Sequence, residues 1–540
     1  MDAYEAHPVP GAGPVYDPAQ PAYLRMNLAA DRLDLWSEEN AAVPRAERLS
    51  FPQWSERYGR VAEEGGDPRY PPRGVLGEYL ADGLQRVLRW LPEGLRFRLV
   101  PWEARTVHGD AGRWVVTAGD GERRAYEEVL LATGHGRWSS PGPARPWAHA
   151  APLVPAVFPV TRWLTTERVP PGATVAVRGF ALTFLDAALA LTEGRGGTFE
   201  ADAHPARLRY EASADDAGVL LPFSRTGRSM LPKPEPELAR SVPRLEDIVG
   251  LASSRVAALR PGFTLRDALL PIVAECAAAS LLAANARPDG AERRARLAAA
   301  FRSWLDRACD GRLAPSSSPA FVEIARSLDV GAGSRPPGPS WALAHTWQGL
   351  YPSLVRRLGG PALAEDEWPP FLRLATEMER IAFGPPPANA AKLLALVAAG
   401  RVDVSFVRGS QLTTAGRVTS LGRDGAGMPV DVVVDAVLAA PGAHGARSAL
   451  IEGLVAGGSA RVAPRRRGLE VTADGNCVGR DGDRTPGLSA IGRMTEDWVI
   501  GNDTLNRRLH AHADGWARRV AAAAADRAPS RPAREREHAA

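Results

Sequence analysis

The residues best placed to do chemistry in this chain stand where apolar runs end. Gly179 follows the β-branched run Thr174 to Val177 and Arg178, and it precedes Ala181 to Leu191, a stretch that is apolar on nearly every side. A glycine between a buried strand and a buried helix brings free helix amides and the positive end of the helix dipole to a phosphate. Glu193 to Gly197 then supplies the glycines that stop the helix. Against the full G-x-G-x-x-G pattern only Gly179 is kept, with Ala181 and Phe184 at the other two positions. Phe184 in place of the third glycine is expected to push the helix away from the strand. The spacing alone leaves two readings, a nucleotide turn and an ordinary βα unit.

Three further ends carry similar residues. Leu130 to Gly136 is an apolar strand that closes in Ala132, Thr133 and Gly134, small residues where a chain must pass close to a bound dinucleotide; Val430 to Gly442 repeats that closure. Met1 to Glu5 resembles the end of a strand closing in acids, and Asp2 or Glu5 would accept hydrogen bonds from an adenosine ribose. A strand, glycine turn and helix are then expected upstream of Met1, and the alternative is an N-terminus with incidental acids. Near the other end, Asn502, Asp503 and Thr504 fall where a last helix would begin, and Asp or Thr there caps free amides.

These positions need elements to hold them. Gly11 to Trp36 reads as a loop marked by glycine and proline, Tyr70 to Arg73 leads into an amphipathic helix, and Arg96 to Leu131 alternates as a β-meander. Ser224 to Lys233 is a polar, glycine-bearing loop. From about Ser241 to Gly400 apolar residues recur at three- and four-residue spacing, which predicts helices, and strands return at Arg401 to Val407 and within Val430 to Gly442. The expectation is an α/β fold with two nested dinucleotide-binding, Rossmann-like domains and a large all-helical insertion. The boundaries read as a first dinucleotide domain over 1–160 and 443–520, a second over 161–240 and 401–442, the insertion over 241–400, and a frayed tail over 521–540. The insertion would cover a substrate pocket or form a dimer interface.

Composition narrows the classes. The 540 residues, 45% apolar and 24% charged, suit a soluble globular protein of two or three domains. No uninterrupted apolar run reaches membrane-spanning length and no signal peptide opens the chain, so neither is expected. The net charge is +4, but Arg is scattered among acids and no basic face is concentrated, which argues against a nucleic-acid partner. Cys276, Cys309 and Cys477 lie far apart, which speaks against a disulfide framework or zinc site and for a reducing cytoplasm. No metal site and no Ser-His-Asp set is expected.

Several of these stretches together carry a resemblance. PGAGPVYDPAQPAYLRMN, YPPRGVLGEYL, LLATGHG, VAVRGFALTFLDAALALTEGRGG, ERIAFGPPPANAAKLLALVAAG and IGRMTEDWVIGNDTL resemble FAD/NAD(P)-binding flavoproteins typified by bacterial L-aspartate N-monooxygenases that form nitrosuccinate. The resemblance implies that NAD(P)H reduces FAD, that molecular oxygen is the co-substrate, and that one oxygen atom passes to a nucleophilic nitrogen of a small-molecule substrate. It implies Asp2 or Glu5 on the FAD ribose; Met26, Asn27, Thr133 and Gly134 along the FAD path; and Gly492, Asn502, Asp503 and Thr504 near its pyrophosphate or ring. Arg178, Gly179 and Thr183 would face the nicotinamide dinucleotide, with Arg178 available to its phosphates, and Arg225 and Arg228 would hold a substrate carboxylate. The family favours NADPH, with Arg207, Arg209 or Arg225 for its 2′-phosphate; Glu200 and Asp202, about 20 residues after Gly179, are the acids that would select NADH. A flavin oxidoreductase without oxygenation and a non-enzymatic remnant of the fold are the alternatives, and a homo-oligomer is possible.

Overall fold

A computed structural model describes residues 1–37, 42–60, 68–110, 112–134, 147–204, 206–234, 236–287, 290–313, 320–423, 426–443, 448–502 and 505–527. The first part of the chain holds β1 (Asp2–Tyr4), α1 (Phe51–Tyr58), α2 (Arg73–Arg89) and β2 (Arg98–Val100). An antiparallel meander follows, β3 (Ala104–Asp110), β4 (Arg113–Ala118) and β5 (Arg123–Tyr126), and then β6 (Val129–Leu131). β1 pairs in parallel with β2. Met26, Phe51, Trp54, Leu76 and Tyr79 form a small core that seats α1 and α2.

A parallel sheet in the order β11-β8-β15-β7 organises the middle of the chain. It contains β7 (Leu153–Val154), β8 (Thr174–Arg178), β11 (Val219–Phe223) and β15 (Val432–Asp435). Between them come α3 (Val160–Trp163), α4 (Leu182–Ala190), and the antiparallel hairpin of β9 (Thr198–Ala201) and β10 (Leu208–Glu211). Alternation along the strands divides the faces. Val175, Val177, Leu220, Val432 and Val434 pack with α4 and the helical insertion in one continuous core. Ala176, Leu221 and Val433 face the other way, onto β12 (Gln411–Ala415), β13 (Val418–Arg423) and β14 (Ala426–Val430).

The insertion runs through α5 (Pro236–Ser241), α6 (Leu245–Ala257), α7 (Leu270–Ala284), α8 (Ala291–Cys309), α9 (Ala320–Gly331), α10 (Pro339–Leu358), α11 (Trp368–Ala382) and α12 (Pro387–Ala398). Leu265–Ala284 is long and apolar enough to cross a membrane, yet 56% of that window is buried in the fold. Its side chains meet α6, α8 and α10, as those of a core helix do. After β15 the chain forms α13 (Ala449–Ala456), β16 (Asn476–Val478), β17 (Arg484–Ala490) and α14 (His512–Arg527). β17 returns to lie parallel to β6, so the middle sheet and its insertion are nested inside the first unit.

Two expectations are corrected here. Arg401 to Val407 is no strand: Val402 makes one bridge to Leu220, and Val404–Phe406 is a 3-10 turn begun by the Asp403 side chain. The last helix opens at His512 rather than at Asn502 to Thr504, and it continues to Arg527, past Ala521 where fraying was expected. Residues 528–540, the rest of that tail, lie outside the described residues. Phe184 lies in the first turn of α4 and packs into the core. Its ring is fully buried, 5.3 Å from that of Phe180, and burial of this kind contributes about 1.5–3 kcal/mol.

Within the insertion His345 stacks on Trp341 at 5.1 Å, and burial pushes its pKa down to about 4. His512 is held near 4 as well, by burial and by His510. A histidine kept neutral in the fold but protonated near pH 6.5 in the unfolded chain contributes stability above that pH and loses it as pH falls toward 4. Urea midpoints measured at pH 7 and pH 5 should therefore fall more for the natural chain than for His345→Gln, whose residual drop reports His512.

Candidate functional site

In open parallel sheets, ligands bind beyond the carboxyl ends of the strands where the strand order reverses. β8 is such a point, because its neighbours β11 and β15 lie on opposite sides and are reached by separate crossovers. Gly179 leaves β8 with φ +117°, a conformation that favours glycine, and its amide donates to Phe223 O at 2.9 Å. A Cβ at Gly179 would stand 3.1 Å from Ala436 O. The nine-residue α4 then opens with Ala181 as its N-cap and no side-chain capping bond. Its first amides have no intrahelical partner, which is the arrangement an anion takes up. Thr183, in that first turn, is buried.

Charge at this edge is paired internally. The Arg178 guanidinium makes two bonds to Asp435 across the β8–β15 pair, Nε to Oδ1 at 2.9 Å and Nη2 to Oδ2 at 2.5 Å. Arg178 is therefore not the open phosphate ligand the sequence suggested. The Asp435 side chain is 1% exposed while that of Arg178 is 35% exposed, so the pair shows one cationic face to a cavity of about 280 Å³ that Trp147, His149 and Phe223 also line. The sequence reading missed Asp435. Its signal was symmetry, since VVVD and TVAVR are apolar strands that each end in a charge, of opposite sign.

The cofactor-selecting charges are rearranged in the same way. Glu200 and Arg209 stand opposite each other in the β9–β10 hairpin and form an ion pair, and Arg207 binds Asp329 at 2.6 Å. Asp202 and Arg225 stay exposed without an ion pair among the described residues. Arg228 is no open carboxylate anchor either: it meets Glu377 Oε1 at 2.7 Å and donates to Leu313 O at 2.6 Å, with 13% of its side chain exposed. For Arg207 and Arg228 the cause is burial, since a guanidinium brought into a packed interior has to be satisfied by the nearest carboxylate or carbonyl, whereas Arg209 and Glu200 form an exposed cross-strand pair.

A second carboxyl edge is made by β6 and β17, whose C-terminal residues Leu131 and Ala490 are register partners. Exposed Thr133 and Gly134 follow the first strand, and Gly492, with φ +76°, follows the second and opens a 3-10 turn. Asn502 is fixed beside it, its amide on Glu496 Oε2 at 2.8 Å and its Nδ2 donating to Thr495 Oγ1 at 2.5 Å. Asp503 and Thr504 lie outside the described residues. Glu5 stands just past the C-terminal end of β1 and accepts the His7 amide at 2.8 Å. Asp2 sits at the start of that strand, bound to Arg98 and to the Tyr126 hydroxyl, so of the two acids only Glu5 is at its carboxyl end. The Met26 side chain is in the core with Trp54 and Tyr79, which leaves only backbone there; Asn27 beside it is half-buried.

The two units are tied together by Arg73 at the start of α2, which binds Asp186 of α4 at 2.6 Å. Burial raises the Asp186 pKa, and Arg73 opposes the rise.

Residues 2–136, most of the first unit, match a family model described as FAD-NAD(P)-binding. The chain is similar to nitrosuccinate-forming N-monooxygenases. An L-aspartate N-monooxygenase (nitrosuccinate-forming) from Streptomyces cremeus is 31% identical over 231 residues, 38% of this chain and 34% of that protein. A nitrosuccinic acid synthase from Aspergillus oryzae is 30% identical over 220 residues, 38% of this chain and 32% of that one. The chain spans roughly a third of the length of the curated relatives it matches. Among solved structures, an oxidized steroid monooxygenase bound to NADP covers 97% of this chain and 81% of its own at 13% identity and TM-score 0.42.

Asp435→Asn should remove the charge that holds Arg178 and lower stability by about 1–3 kcal/mol, less than for a fully buried pair because water reaches the guanidinium. Urea unfolding of the two proteins at pH 7 measures it.

Proposed function

We propose that this chain is a FAD-dependent, NADPH-using monooxygenase that oxidises the nitrogen of a small amino acid such as aspartate. The observation that carries the reading is the 31% identity over 231 residues with a nitrosuccinate-forming L-aspartate N-monooxygenase, in a chain whose strand pairing makes two separate carboxyl edges. The residues at both edges fit the groups they would hold. Gly134 has open space where a Cβ would be, and Gly492 meets nothing closer than 3.9 Å, so backbone can approach a ligand at both. The uncapped start of α4 provides the amides for a second pyrophosphate.

In this reading Glu5 accepts from the adenosine ribose of FAD, and Thr133, Gly134 and Gly492 line the path of its pyrophosphate. Asn502, oriented by Thr495 and Glu496, approaches its pyrophosphate or ring. Bound FAD supplies the redox and oxygen-transfer chemistry, and the protein supplies position and exclusion of water. Gly179, Thr183 and the first amides of α4 hold NADPH, and Arg178, kept in place by Asp435, sets the charge of that edge. Exposed Arg225 is the remaining candidate for the 2′-phosphate, and it opposes Asp202, which would favour NADH.

The test is NADPH oxidation by the FAD-supplemented protein, with oxygen uptake, hydrogen peroxide and nitroso or hydroxylamine product recorded together across amino acids. L-Aspartate or a similar amino acid should stimulate oxidation above the peroxide background, with NADPH preferred to NADH. Absence of stimulation by any amine would leave a plain oxidoreductase. Gly179→Val, which forces a side chain into a positive-φ position against Ala436, should raise the KM for NADPH at least tenfold and leave flavin absorbance unchanged.

A further inference from the structure

The dinucleotide turn lies on one face of the middle sheet, and the cavity beside Arg178 lies on the other. Val175, Val177 and Val434 pack with α4, which starts just after Gly179. Val433, Phe223 and Leu412, which line the cavity, belong instead to the core between the sheet and β12–β14. Strand register sorts the lining. Phe223, Arg178 and Asp435 are partners across β11, β8 and β15 at the carboxyl end of the sheet, and Val433 pairs with Leu153 of β7 two residues further in. The cavity therefore has a charged end at the strand termini and an apolar wall behind it.

The charged end has unused donors. Arg178 directs Nε and one Nη2 hydrogen at Asp435, so the outer edge of its fork, Nη1 with the second Nη2 hydrogen, has no acceptor among the described residues. Ser410 also lines the cavity; it is only 8% exposed, yet its hydroxyl has no hydrogen-bond partner among the described residues. The aromatic wall is held by bonds of its own. Trp147 Nε1 donates to Ala151 O at 2.8 Å, His149 Nδ1 lies 2.9 Å from Thr414 Oγ1, and the two rings meet edge-on at 4.8 Å. Rings fixed in this way offer faces and edges to a further ring.

We propose that this cavity is a binding site for a single-ring aromatic carboxylate, on the reverse face of the sheet from the dinucleotide turn. The outer edge of a guanidinium presents two parallel donors that match the two oxygens of one carboxylate, and the Ser410 hydroxyl is available for a third bond. Asp435 already balances one charge, so a monoanion suits this end and a phosphate dianion does not. A volume of about 280 Å³ is near the lower limit of ligand pockets and suits one ring rather than half a dinucleotide. A ligand on Arg178 bears on the pair beside Gly179, so its binding is coupled to that of the dinucleotide. The site stands on this geometry; only the coupling rests on the proposed function.

The experiment is calorimetric titration of the natural chain with benzoate, benzamide, cyclohexanecarboxylate and inorganic phosphate, with the benzoate titration repeated for Arg178→Lys, Trp147→Leu and Ser410→Ala. Benzoate should bind one per chain, at least tenfold more tightly than benzamide, which lacks the charge, or cyclohexanecarboxylate, which lacks the flat ring, and phosphate should not displace it. Arg178→Lys and Trp147→Leu should each weaken benzoate at least tenfold, and Ser410→Ala by a smaller factor. Trp147→Leu and Ser410→Ala leave the Arg178–Asp435 pair in place and carry the test if Arg178→Lys does not fold. Unchanged benzoate affinity in Trp147→Leu or in folded Arg178→Lys, equal affinity for cyclohexanecarboxylate, displacement by phosphate, or no benzoate binding by the natural chain would each overturn the assignment. In rising NADP⁺ the benzoate dissociation constant should level off, as coupling between two separate sites requires. A rise without limit, in proportion to NADP⁺, would make the cavity part of the nucleotide site and overturn the assignment as well. Benzoate binding with these residue dependences, in a chain that does not bind NADP⁺, would count against the proposed function and uphold the cavity site.

Discussion

Strands β8 and β15 are separated in sequence by the whole helical insertion, yet Val432 to Asp435 lie in parallel register with Val175 to Arg178. Their backbone amides and carbonyls, buried on both faces of the sheet, are satisfied only in that pairing. The insertion must therefore leave the sheet and return to it, and its helices share one core with α4 and the sheet face. The same register sets Asp435 opposite Arg178 and places Ala436 against Gly179, so the glycine turn is shaped from both sides. Loop closure over so long a segment costs only slowly more with length, which is why a large insertion is compatible with a precise edge.

Electrostatics in this protein is mostly internal. Arg73 with Asp186, Arg178 with Asp435, Arg207 with Asp329 and Arg228 with Glu377 each join elements distant in sequence. In an arginine-rich chain such pairs fix orientation, because the planar guanidinium holds a carboxylate in one geometry. Their effect on function is subtractive: they withdraw the charges that sequence reading would assign to ligands.

The carboxyl edge of β6 and β17 depends on a second long-range pairing, again between strands that enclose the rest of the chain. Both edges are finished by glycines at positive φ, Gly134 and Gly492 on one and Gly179 on the other. Small residues at these points keep backbone accessible, and the specific side chains stand one step further out. In the proposed function, backbone holds the dinucleotide and side chains on the loops and the insertion choose the substrate.

Local pattern was enough for elements whose signal is local. The β-branched run ending at Gly179, the all-round apolar α4, the amphipathic α2 and the alternation of β3 to β5 could be read from neighbouring residues, because helix and strand periods are written in adjacent side chains. The sequence foresaw helices over 241–400 without the bounds of α10, whose Trp341, His345 and Gln348 interrupt the apolar stripe. It also placed the last helix too early, since Asn502 looks like a cap but is held by Thr495 and Glu496. Partnership was the part that no local pattern could fix. Whether Arg178, Arg228, Glu200 or Asp2 faces a ligand or a neighbour depends on which strand or helix lies beside it. That choice is made by burial and pairing across the whole chain, where an ionised group takes the nearest counter-charge as water is removed. Local pattern locates the glycine turns at the strand ends; pairing across the whole chain withdraws or leaves the charges beside them.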